Sequence, residues 1–82
     1  MDAAYPMVVF PNPAKESTTI NIDPDHEGLL SVIDMQGRIL VQDFVEINTS
    51  QYKLDVAGWI PGLYVLRFES DKGVYTGKLM VE

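Results

Sequence analysis

Apolar residues recur at every second position through most of this chain, the spacing of half-buried β-strands and not of helices. Tyr52, Leu54 and Val56 alternate with Gln51, Lys53 and Asp55, and Tyr64, Leu66 and Phe68 oppose Val65, Arg67 and Glu69. In residues 74–81, Tyr75, Leu79 and Val81 share a face with Gly77, opposite Thr76, Lys78 and Met80. Thr18, Ile20 and Ile22 give one more inward-facing row. Residues 7–10 form a short apolar run stopped by Pro11-Asn12-Pro13, whose two prolines cannot donate to a strand ladder and belong at an edge or a corner. Residues 29–34 and Ile39–Val45 carry apolar side chains on both faces, which predicts strands that are centrally placed or partly covered. The pattern therefore predicts seven strands.

Turn chemistry fits between them. Asp34-Met35-Gln36-Gly37-Arg38 sets a glycine where a hairpin loop needs positive φ, and Asp71-Lys72-Gly73 repeats that logic before the last strand. In Trp59-Ile60-Pro61-Gly62-Leu63-Tyr64, proline fixes φ, glycine permits a sharp entry, and Tyr64 is placed to return its hydroxyl to the backbone a few residues upstream. The fold class predicted is all-β, a seven-stranded immunoglobulin-like Greek-key β-sandwich. Residues 1–6 are read as a linker or an artificial start, and residues 7–82 as a single sandwich domain.

Composition narrows the function. A chain of 82 residues is one domain with a small core. The absence of cysteine excludes thiol chemistry, iron–sulfur clusters and cysteine-type zinc sites. It also argues for a bacterial or intracellular protein over a disulfide-stabilised animal domain. Twelve acidic residues against six basic ones give a net charge of −6. Nucleic-acid binding, which needs a concentrated basic face, is disfavoured, as is attraction to anionic lipid. No apolar run has the length of a spanning helix, so no direct membrane insertion is expected. Residues 1–6 lack the features of a secretory signal, so the chain either stays in the cytoplasm or is a fragment whose export signal lies upstream; the look of its start favours the second.

The search for chemistry is largely empty. The single histidine, His26, sits in an acidic loop, and none of Ser17, Ser31, Ser50 or Ser70 lies in a nucleophile elbow, so no catalytic residues are expected. Asp23, Asp25 and Glu27 lack the pattern of a calcium loop and read as an ordinary acidic turn, so no metal is expected. Phosphate-binding glycine loops are missing, and no cofactor is expected. Asn48-Thr49-Ser50 matches a glycosylation acceptor, a pattern short enough to arise by chance. Trp59 and Tyr5 are candidates for a carbohydrate platform, although packing in the core or corner explains both more simply.

Taken together, Tyr5-Pro6 through Pro11-Asn12-Pro13-Ala14, the Ile33-to-Arg38 hairpin, Pro61-Gly62-Leu63-Tyr64 and the terminal Lys78-Leu79-Met80-Val81 resemble the C-terminal sorting domain, type A, of cargo proteins of the bacterial type IX (Por) secretion system. The resemblance runs from about Val9 to Glu82, with the segments in the family's order. Its motif residues fall on Pro11, Asn12 and Pro13, on Asp34 and Gly37, on Gly62 and Tyr64, and on Lys78, Leu79 and Val81. One departure is Glu82, where family members often carry a second basic residue.

The resemblance implies a non-catalytic address label. Its cargo is exported through the periplasm to the cell surface or beyond. Its partners are the outer-membrane translocation machinery and, in many cargoes, a surface sortase that removes the domain and joins the cargo to an anionic lipopolysaccharide. A label read after folding must be a folded surface or an edge strand with free backbone groups. Residues 74–81 are the expected edge, with Thr76, Lys78 and Met80 on display, and a weak dimer through exposed edges is open to such a chain. The alternative is an accessory sandwich that binds glycan or spaces an adhesin or secreted enzyme, since one fold hosts many functions.

Overall fold

The structure is a computed structural model and describes residues 7–82. Residues 1–6, with the linker reading and Tyr5, lie outside the described residues. Seven strands follow in chain order: β1 (Val9–Phe10), β2 (Ser17–Asn21), β3 (Gly28–Ile33), β4 (Ile39–Val45), β5 (Gln51–Asp55), β6 (Gly62–Ser70) and β7 (Gly73–Val81). They form an antiparallel sheet ordered β1-β2-β5 and a second ordered β4-β3-β6-β7, stacked as a β-sandwich.

The period-two rows meet between the sheets. Ile20, Leu54 and Val56 from one layer pack against Leu30, Val32, Leu66, Phe68 and Leu79 from the other, all almost wholly removed from water. Burying a side chain of this size contributes about 1.5–3 kcal/mol, so these few rows dominate the stability of a small core. Phe68 meets Tyr75 edge-on with ring centroids 5.9 Å apart. Where the two layers come near β4 and β5, the Tyr52 hydroxyl donates to Asp43 Oδ2 at 3.0 Å. Burial, followed by that carboxylate, raises the Tyr52 pKa above the ordinary phenol value.

Two expectations change. β3 is central, as its two-sided apolar pattern requires, but β4 is an edge strand with Ile39, Leu40 and Phe44 exposed. A two-sided apolar pattern reports only that both faces can tolerate dry neighbours; it does not place a partner strand beside them. β7 is also the last strand of its sheet, yet its outer edge is partly occupied. The segment running from Met7 to Ala14 starts beside β7, with Met7 N donating to Thr76 O at 3.5 Å. It crosses to pair Val9 with Ile20 of β2, then returns to β7 in a parallel bridge between Ala14 and Val81. Residues 7–14 thus close one open side of the sandwich.

Candidate functional site

The return to β7 is built by Asn12. Neighbouring prolines offer no N–H, so the hydrogen bonding in this segment falls to the asparagine side chain. Asn12 Nδ2 donates to Lys78 O and Asn12 Oδ1 accepts from Met80 N, each at 2.9 Å. The amide therefore presents donor and acceptor in the manner of a backbone peptide. Ala14 continues the pairing: its N–H donates to Met80 O at 2.8 Å and its carbonyl accepts from Glu82 N at 2.9 Å. Pro11 O accepts the hydroxyl of buried Thr18 at 2.7 Å, which ties the same turn to β2. The peptide bonds preceding Pro11 and Pro13 are both cis.

From β7 the pairing passes directly to the corner. Val81 lies opposite Gly62, Met80 opposite Leu63, and Leu79 opposite Tyr64. Gly62 has φ 153°, a backbone conformation that a residue with a Cβ rarely adopts. It turns the chain into β6 so that Tyr64 points inward and donates its hydroxyl to Ile60 O at 2.6 Å. The tyrosine corner expected from the sequence is present. Trp59 is half-buried against it, with ring centroids 5.1 Å apart and planes tilted by 51°.

The β3–β4 loop completes this end. Lys78 pairs with Val65 and Val65 with Ile33, the residue before Asp34. Asp34 is buried and organises its loop: Oδ1 accepts from Gln36 N and Arg38 N, and Oδ2 from Arg38 Nε, all at 2.9 Å. The Arg38 N–H is the main cause of a carboxyl pKa below the ordinary aspartate value; the guanidinium and the Gln36 N–H add to it, against the raising effect of burial. Gly37, at φ 87°, closes the turn. A shallow cleft of about 250 Å³ runs between this loop and the corner, lined by Met35, Arg38, Ile60, Pro61 and Leu63. A neighbouring cleft of about 470 Å³ continues past Leu40, Asp55 and Trp59.

Pro11, Asn12, Pro13, Asp34, Gly37, Gly62, Tyr64, Lys78, Leu79 and Val81 are thus gathered at one end of the sandwich, although they are spread over the whole sequence. They divide by role. Tyr64, Leu79, Val81 and Asp34 are buried and hold the end together, whereas Lys78 is exposed, as are Pro11, Asn12 and Pro13. Around them stand three exposed apolar side chains: Met80 at 41%, on display as the sequence predicts, and Met35 at 63% and Ile60 at 75%, which sequence reading passed over. Ile60 was legible as the apolar residue before Pro-Gly, but nothing local marked it as uncovered. The structural role of Ala14 had no side-chain signal, since it acts through its backbone.

His26 lies 3.6 Å from Asp23, away from the gathered motifs. Among the described residues, no group of three or more His, Asp or Glu is arranged to hold a metal ion. No helix among them is long and apolar enough to cross a membrane. Trp59 packs on the corner, as the simpler of its two readings expected.

A search of curated proteins finds no match to the chain. The model of the secretion system C-terminal sorting domain matches residues 8–82, the span that carries all of the gathered motifs, and the chain belongs to that family, a C-terminal sorting signal of type IX secretion.

Proposed function

We propose that the sorting signal is read from the end of the sandwich where the Asn12 turn, the last residues of β7, the Gly62–Tyr64 corner and the Asp34 loop meet. The sorting role follows from family membership, and it makes this a non-catalytic domain of a cargo bound for the cell surface or the extracellular space. The observation supporting this particular surface is the convergence of four sequence-distant segments through Ala14–Val81, Val81–Gly62 and Val65–Ile33 pairing. Such a surface exists only in the folded chain. A machine that grips it accepts cargo whose label has folded.

Lys78 presents an exposed positive charge at this end, where the Arg38 guanidinium is paired with Asp34, and Met35, Ile60 and Met80 supply the apolar area that protein partners bury. The partner is the outer-membrane translocation machinery, met after transit through the periplasm. A surface sortase then removes the domain and joins the cargo to anionic lipopolysaccharide.

The test fuses the domain behind a reporter with a signal peptide in a host that has the secretion system. Ile60→Asp, Met35→Asp and Lys78→Glu change exposed side chains. They should abolish surface display while leaving thermal unfolding unchanged, and Glu27→Lys, remote from these motifs, should leave display intact. Normal display by all three variants would remove this surface from the mechanism.

A further inference from the structure

One inward position of β7 carries no side chain. Tyr75, Leu79 and Val81 are buried on the face turned to the other sheet, and between them stands Gly77. A glycine inside a strand often marks the close approach of another backbone, and here the neighbour is Met7. A Cβ at position 77 would lie 3.2 Å from Met7 Cβ and 3.4 Å from Met7 O, so that even an alanine there would press on it. Met7 belongs to no strand, yet it is buried in the core. The gap in β7 is thus a seat, and Met7 fills it.

From that seat residues 7–14 run as a strap across the open side of the sandwich. Met7 N donates to Thr76 O, Val9 and Phe10 pair with β2, and the chain returns to β7 at Asn12 and Ala14. The strap therefore holds β7 at two places, its middle and its end. Both ends of the Asn12 amide are engaged there, by Lys78 O and Met80 N. An amide so oriented fixes the end of β7 and does not turn these bonds toward a partner.

We propose that Met7 and Gly77 are positioning residues of the sorting signal, and that the label is read with this strap closed on β7. Asn12 then acts by holding Lys78 and Met80 in place and not by touching the machinery. The proposal rests on the reading that this end of the sandwich carries the signal. Because a C-terminal label follows its cargo, the strap is the part of the described fold nearest the cargo in sequence, and the sorting end is complete only when that part has docked.

The test uses the reporter fusion in a host with the secretion system, with a reporter free of cysteine. Asn12→Ala and Gly77→Val should each lose most of their surface display. In the purified chains the Met80 amide should exchange faster, while Leu30 in β3 and Leu54 in β5 keep their protection. Should Gly77→Val fail to fold, Met7→Ser, which empties the seat, takes its place. The chain has no cysteine of its own, so Met7→Cys with Gly77→Cys introduces one defined pair. Its Cβ separation of 3.2 Å needs only a small movement to reach disulfide range. The crosslinked label should be displayed like the natural one, and the same crosslink should restore display to Asn12→Ala, with the rescue lost in reductant.

A crosslinked label that is no longer displayed would overturn the proposal, since the strap would then have to leave β7 during reading. Failure of the crosslink to rescue Asn12→Ala would do the same and make Asn12 a contact of the partner. Normal display of Asn12→Ala or of the seat variant would remove the strap from the mechanism. The underlying reading fails separately: normal display of Ile60→Asp, Met35→Asp and Lys78→Glu removes that surface whatever the strap variants do.

Discussion

The side-chain amide of Asn12 pairs with the backbone of Met80 as a strand would, accepting the Met80 N–H at 2.9 Å while its own Nδ2 donates to the preceding Lys78 carbonyl. Replacing it by alanine removes both bonds and leaves those two backbone groups to solvent. The contacts are exposed, so Asn12→Ala should cost about 1–2 kcal/mol in chemical denaturation. Amide hydrogen exchange at Met80 should accelerate more than at Leu79, whose position in the β6–β7 ladder is unchanged. Uniform exchange across β7 would mean that the clasp contributes nothing local.

Tyr64 and Ile60 give a second measurable bond. Tyr64→Phe keeps the ring against Trp59 and deletes only the hydroxyl that donates at 2.6 Å. A loss of about 1 kcal/mol is expected, which for a domain of this size lowers the midpoint of thermal unfolding by roughly 4–8 °C. An unchanged midpoint would show that Ile60 O is equally well served by water.

Gly62→Val addresses the backbone and not the packing. Space is open around the position, but φ 153° is strained for any residue with a Cβ and worst for a β-branched one. The variant should lose about 1–3 kcal/mol. Gly62→Ala should fall between it and the natural chain. A stability equal to that of the natural protein would show that the corner can be entered by another path.

Asp34 predicts a pH dependence. Its folded pKa is lowered, chiefly by the Arg38 N–H, so its stabilising contribution is present above the unfolded value of about 3.9 and is lost as pH falls through the lower folded value. Asp34→Asn removes the charge that faces the Arg38 guanidinium. The variant should be less stable at neutral pH, with a shallower decline below pH of about 4. Parallel acid limbs for the two proteins would assign that decline to other carboxylates.

Much of the fold was legible because alternation states which face of a strand is dry. Tyr52, Leu54 and Val56, or Tyr64, Leu66 and Phe68, needed no tertiary information to be placed inward, and Gly37 and Tyr64 announced their turns by residue type. β4 was read less well, because its apolar residues on both faces are equally compatible with a covered strand and an exposed edge. The site was legible as a set of motifs but not as a place. Nothing between positions 12 and 80 says that an asparagine will supply the hydrogen bonds that a strand partner otherwise would.

By itself the sequence determined the all-β class, seven strand segments, the tyrosine corner and the family's motif order, since each depends on residue type and short spacing. Tertiary structure alone decided that β4 became an edge, how the β7 edge was closed, and that the motifs share one end. Those outcomes depend on pairings between residues distant in the sequence, Asn12 with Lys78 being 66 positions apart. Such pairs are selected by the packing of two whole sheets, and no local pattern carries that information.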